Sequence, residues 1–269
     1  MVVALAGCGS SASESSERPR TVASTVDGRS QRRAALPTVV QLAAGAGRTG
    51  AWEFRRSDLR GKRLPVVLFI HGWGGIDPRT YRGWIDHLAL RGNAVIYPRY
   101  QDSVITPPAT VLGNVVLGVR RALALPDAPV DPSTLVAVGH SAGGALIADY
   151  AASAPALHLP VPRAIFAAYP GRAFGADTPA AIPEIAGRDI APTTRIVALA
   201  GDADEVVGTR WARRIVATAT RVPRTQRRYR LITSDTVDDH QAPARTDSVA
   251  RATFWRPFDE LTAAARRAP

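Results

Sequence analysis

Cysteine occurs once in this chain of 269 residues, methionine once, and lysine only as Lys62. A single thiol excludes an intramolecular disulfide framework. No metal-ligand cluster is visible, so no metal or cofactor is expected. Past the N-terminus no apolar run is long enough to cross a bilayer. No fixed period repeats, which sets aside solenoids and propellers. The basic charge, +11 at pH 7, lacks the form that nucleic-acid binding takes. It comes from arginines spread along the chain, with no basic stripe, no interleaved aromatics and no nucleic-acid motif, so no nucleic-acid partner is expected. What is present is a globular composition, 46% hydrophobic and 21% charged, long enough for one large core or at most two small ones.

The position of the one cysteine matters. Leu5-Ala6-Gly7-Cys8 resembles the lipobox of bacterial lipoproteins, in which the cysteine is lipid-modified and becomes the new N-terminus. A Ser-rich polar tether follows, as expected between an anchor and a folded domain. A signal peptide needs a basic n-region and a longer apolar stretch than the residues before Cys8 supply, so a start further upstream is expected. Residues 1–35 thus read as leader and linker and 36–269 as a catalytic domain. The implied location is extracytoplasmic, anchored through Cys8 or secreted, and cytoplasmic if this leader does not function.

From residue 36 onward, buried strands alternate with amphipathic helices. Pro65 to Ile70 is a continuous apolar run, too short for a helix and ended by His71-Gly72, and reads as a central parallel strand. Asp77-Pro78 offers an N-cap and a first-turn proline. Tyr81, Trp84, Ile85 and Leu88 then fall on one helix face, and Gly92 supplies the stop. Further strands are expected at Ala94–Tyr97, Leu135–Val138, Ala164–Ala168, Ile196–Ala200 and Tyr229–Thr233. Helices are expected near 108–124, at Ala142–Ala152 and Val207–Ala219, and in a final region through Phe254 that breaks near Pro257. Thr38–Leu42 and Ala51–Arg55 read as antiparallel edge strands. The alternation predicts an α/β fold with a mostly parallel eight-stranded sheet and helices on both faces.

Sites in such sheets lie at the carboxyl ends of strands. Gly139-His140-Ser141-Ala142-Gly143 matches G-x-S-x-G between a strand and a helix, the context of a nucleophile elbow. Glycines there permit a sharp turn that lifts the hydroxyl out at a helix N-terminus. A serine needs a base. Of the five histidines, His71 belongs to a His-Gly turn, His87 to a helix, His140 to the elbow and His158 to a Pro-flanked loop. His240 alone follows the last strand, where it could reach Ser141. Asp204, with Asp202 as fallback, follows the preceding strand as the carboxylate that orients the base, whereas Asp238 and Asp239 read as a solvated turn. The order serine, acid, histidine is the one described for this arrangement. Two amides are needed for a developing oxyanion: that of Ala142, and that of Trp73 in His71-Gly72-Trp73-Gly74-Gly75, with Gly74 next.

On those residues, together with Gly201-Asp-Ala-Asp204-Glu-Val-Val207, the chain resembles the α/β-hydrolase superfamily over roughly residues 36–269. In that family the segment Gly-x-x-Asp-x-x-Val carries the acid at its fourth position, which favours Asp204. The resemblance is nearest to dienelactone-hydrolase-like and polyester-hydrolase-like esterases. It implies acyl transfer to Ser141 followed by hydrolysis, a small or polymeric ester as substrate, and a monomer. The stretch Gly171–Pro192 is too short for a full helical lid. Trp73, Tyr97, Tyr100 and Tyr169 could line a substrate pocket, although ordinary packing explains Tyr97 better. A serine peptidase, a thioesterase, or a non-catalytic binding module on the same fold are the alternatives.

Overall fold

The computed structural model describes residues 36–173 and 181–267. The chain divides into two units, Met1–Leu36 and Pro37–Pro269. The Cys8 lipobox and its tether lie outside the described residues. The larger unit holds one eight-stranded sheet.

The strands are β1 (Val39–Ala44), β2 (Ala51–Arg56), β3 (Leu64–Ile70), β4 (Ala94–Pro98), β5 (Val130–His140), β6 (Ala164–Ala168), β7 (Arg195–Gly201) and β8 (Arg227–Ile232). Their spatial order is β1-β2-β4-β3-β5-β6-β7-β8. The two pairings made by β2, with β1 and with β4, are antiparallel, as the sequence reading expects, and β3 to β8 run parallel. The chain visits β4 on one side of β3 and then β5 on the other, a reversal of winding that opens a crevice above the carboxyl ends.

Strand residues alternate between two cores because successive side chains point to opposite faces. Val66, Leu68 and Ile70 pack under α2 (Val111–Leu123), α3 (Ala142–Ser153) and α4 (Arg210–Thr218). Val67, Phe69 and Phe166 pack on the other face, under α1 (Arg82–Leu90) and the C-terminal helices. There Trp84 meets Phe69, Phe166 and Phe258 edge to face and stacks on Trp255. Burying each such phenylalanine contributes roughly 1.5–3 kcal/mol.

Of the boundaries that differ from the sequence reading, three have a local cause. Asp77 caps as expected, accepting from the Arg79 amide, but the turn it starts is a 3-10 helix, Pro78–Tyr81, and α1 begins only at Arg82. Residues 207–209 are not helical, because the amides of Val206 and Val207 turn toward the Asp204 side chain, and α4 starts at Arg210. The C-terminal helix does not break at Pro257. α5 (Ser248–Ala250) leads through a π-turn, Arg251–Trp255, into α6 (Arg256–Arg267), which contains the proline near its start. Proline has no N–H to donate, and the wider π-turn takes up one residue where the α ladder would be interrupted.

Candidate active site

The turn after β5 is built by exclusion. A methyl group on Gly139 would lie 2.3 Å from the Gly143 carbonyl oxygen, and one on Gly143 would lie 2.0 Å from that of Ile70. Only glycine lets the start of α3 settle so closely on β5 and β3. Between them Ser141 is forced to φ 54° and ψ −123°, a conformation an L-residue rarely adopts. The strain presents its hydroxyl above the sheet, at the first turn of a twelve-residue helix.

Two loops converge on that hydroxyl. His240 Nε2 lies 2.9 Å from Ser141 Oγ, and its Nδ1 lies 2.8 Å from Asp204 Oδ2. The other carboxylate oxygen of Asp204 accepts from the amides of Val206 and Val207 at 3.0 and 3.1 Å. All three residues are buried. Asp202 is exposed, and its amide continues the pairing with Ile232. The His240 loop is seated by close fit: a methyl on Gly201 would lie 1.8 Å from the Asp238 carbonyl oxygen. Tyr169, just past β6 and itself at positive φ, donates to the Val237 carbonyl.

The loop after β3 has its amides assigned one by one. Gly72 N–H donates to the Tyr81 hydroxyl, Gly74 N–H to Gln101 Oε1 and Gly75 N–H to the Gly72 carbonyl. Trp73 N–H has no acceptor among the described residues, whereas Gly74, the sequence reading's second choice, is occupied. At α3, the amide of Ala142 sits at the first helical position, where no carbonyl of the preceding turn can accept it. Two of the tyrosines expected as pocket walls serve this loop instead, and Tyr169 serves the His240 loop. Tyr100 donates to the His71 carbonyl at 2.9 Å and stacks on the His71 ring, and Tyr97 donates to the Gly75 carbonyl. Tyr97, Tyr100 and Tyr169 are fully buried and line neither cavity beside the serine. Trp73 lines both, its indole N–H held by the Val104 carbonyl at 3.0 Å.

Those cavities differ. One, of about 50 Å³, is almost wholly apolar, between Trp73, Pro108, Ala142, Ile182 and Val207. The other, of about 260 Å³, runs past Gly72–Gly75, Thr80 and Gln241 and exposes His240. Behind the apolar one lies a pair that no sequence motif joins. Arg172 and Asp149 meet through two hydrogen bonds of 2.6 and 2.8 Å, both nearly fully buried. Burial pushes the Asp149 carboxyl up from its ordinary range against the pull of Arg172. The Pro183 carbonyl and Ile185 amide complete the pair, so it pins the stretch before β7 to α3. The lid expectation falls partly on residues 174–180, outside the described residues.

No family model and no curated protein matches the sequence. Solved structures do match in fold. A dienelactone hydrolase from Klebsiella pneumoniae is 18% identical, with a TM-score of 0.60 over 84% of this chain and 98% of that one. A Rhizomucor miehei esterase is 19% identical, with a TM-score of 0.64 over 87% of this chain and 84% of its own. A dienelactone-hydrolase-like promiscuous phosphotriesterase from metagenomic libraries is 18% identical, with a TM-score of 0.60 over 86% and 99%. The fold is that of the α/β-hydrolases.

Proposed function

We propose that this chain hydrolyses carboxylic esters through an acyl-enzyme on Ser141. The observation that carries the reading is one row of contacts, Asp204 to His240 to Ser141, ending on a serine held at positive φ. Asp204 can only accept, so His240 Nδ1 carries the proton and Nε2 offers its lone pair to the serine hydroxyl. As Oγ attacks the ester carbonyl carbon, the hydroxyl proton passes to Nε2. The carbonyl oxygen becomes an oxyanion held by the amides of Trp73 and Ala142. Collapse expels the alcohol, which takes the proton back from Nε2. Water then repeats the sequence on the acyl-enzyme and frees Ser141. Every group in this cycle belongs to the chain, the ester or water.

The two cavities divide the substrate. His240 must reach the leaving oxygen, so the alcohol occupies the open cleft that it lines, and the acyl group takes the small apolar cavity. Short acyl chains on larger, more polar alcohols fit this division. The enzyme acts as a monomer. Cys8, if lipidated, tethers it to a membrane outside the cytoplasm; full-length protein should then enter the detergent phase, and equal entry by Cys8→Ala would sink the anchor.

A fluorophosphonate probe should label Ser141 and no other residue, read by peptide mass spectrometry. Ser141→Ala should lose turnover of p-nitrophenyl acetate by at least about 10³-fold. Labelling elsewhere, or unchanged turnover in the variant, overturns the reading.

A further inference from the structure

His140, the middle residue between Gly139 and Ser141, has no part in the cycle above, yet it is buried and bonded at both ring nitrogens. Its Nδ1 lies 2.8 Å from the Tyr81 hydroxyl, and its Nε2 lies 2.8 Å from the backbone carbonyl oxygen of His240. Tyr81 in turn receives the Gly72 amide at 3.1 Å.

Only one arrangement of protons satisfies these contacts. A carbonyl oxygen accepts, so Nε2 of His140 must carry a hydrogen and donate to His240. A neutral imidazole has one such hydrogen, which leaves Nδ1 as a lone pair. The Tyr81 hydroxyl therefore donates to Nδ1, and its oxygen is free to accept from Gly72. Burial, and the nearby His240 ring, hold the His140 imidazole down to about 3, so the neutral form is the one present in ordinary buffers.

The result is a directed chain: Gly72 N–H to Tyr81, Tyr81 O–H to His140, His140 N–H to the carbonyl of His240. Its two ends are main-chain groups of the loops that matter. One is the residue before Trp73, whose amide faces the oxyanion; the other is the base itself. In the sheet, β5, β6 and β7 separate β3 from β8, so no strand pairing fixes one loop against the other. The hydrogen-bonded chain spans that gap from the end of β5. Gly72 keeps this junction close, since a methyl there would lie 3.0 Å from the Tyr81 oxygen and 3.2 Å from Ser141 Cβ and would push them by a few tenths of an ångström.

We propose that His140 and Tyr81 are positioning residues that lock the oxyanion loop and the His240 base into one geometry around Ser141. This rests on the hydrolase reading above. A loss of alignment by fractions of an ångström weakens the oxyanion contacts and proton transfer together while leaving substrate binding nearly intact. The two residues act as links of one chain, so breaking it once is as costly as breaking it twice.

The test is a double-mutant cycle on the full chain with p-nitrophenyl acetate, using Tyr81→Phe, His140→Leu and both together. Wild type is first labelled with the fluorophosphonate. Tyr81→Phe should lower kcat roughly 10- to 100-fold with KM within about twofold. The double variant should be no slower than the slower single one. Nitrogen-15 NMR of wild type should show His140 as the Nε2–H tautomer. Labelled wild type with unchanged kcat in Tyr81→Phe, losses that multiply in the double variant, or an Nδ1–H tautomer would overturn the chain and leave the serine reading standing. An unlabelled Ser141 would bring down both. If His140→Leu does not fold, Tyr81→Phe decides through its split of kcat against KM.

Discussion

Two imidazoles stand 4.9 Å apart behind the serine, on His140 and His240, and both are buried. One faces a carboxylate and a hydroxyl; the other faces a phenol and a carbonyl. The difference lies in what a proton would meet on arrival. In the proposed cycle Asp204 stabilises an imidazolium, so the His240 ring takes up a proton and gives it back. Among the described residues no carboxylate touches the His140 ring, and its neighbour His240 repels a second charge. On the two proposals above, the same side chain at similar depth is a proton carrier in one place and a fixed strut in the other.

The largest effects should come from removing what distinguishes the reactive ring. Asp204→Asn turns an amide toward Nδ1, favours the wrong tautomer, and should lower kcat by roughly 10³- to 10⁴-fold against ester substrates. Asp202→Asn, two residues away and exposed, should leave kcat within about twofold. Equal losses in the two variants would mean that contact with His240 is not what matters.

A smaller effect sharpens the comparison from the other ring. His140 and His71 are both buried, and burial holds their folded values at about 3 and about 4, below the ordinary imidazole value of 6.5. In the unfolded chain both rings take up protons as pH falls through 6.5, whereas the folded chain refuses them until about 4 and 3. Stability from these groups is therefore full above pH 6.5 and declines as pH falls below it, by about 1.4 kcal/mol per pH unit for each ring. The melting temperature should drop between pH 6.5 and 4.5, and His140→Gln should make that drop shallower. A variant with the wild-type slope would show that His140 is not held neutral. His140→Gln should also leave the midpoint of the acid limb of kcat/KM in place, since His140 does not titrate there.

The strut was the harder ring to see in advance. Ser141, Asp204 and His240 each follow a strand with a local signature: flanking glycines, an acid after an apolar run, a histidine after the last strand. Strand ends converge in a parallel sheet, so Ser141 and His240 could be placed from position, whereas position leaves Asp202 open beside Asp204 and the family segment Gly-x-x-Asp-x-x-Val favours Asp204. His140 carries no such mark, because its partners arrive from a 3-10 turn and from a loop 100 residues away. The same holds for Arg172 and Asp149, 23 residues apart and joined only when α3 packs beside the stretch before β7. Tyr100 reads as a pocket wall and Tyr97 as ordinary packing, and their hydroxyls turn out to brace a neighbouring loop. Periodicity reports which face a residue takes, not which loop it holds. It also misplaced the end of the chain, where Pro257 looked like a stop.

That end has a consequence for how the chain tolerates changes in length. A π-turn contains one residue more than the α-helix around it, so the segment Arg251–Trp255 behaves as an insertion kept in place by its neighbours. Phe254 and Trp255 are consecutive and both buried. Deleting one residue there would let ordinary helical winding run from α5 into α6 in the same register, whereas adding one would turn α6 by about 100° relative to α5. With the added residue Phe258 and Ala265 would swing off the sheet, and Trp84 would lose the rings of Trp255 and Phe258. A substitution at an exposed position of the same segment, such as Arg251 or Ala252, keeps the count of residues and should pass almost unnoticed. In this helix the number of residues matters more than their identity.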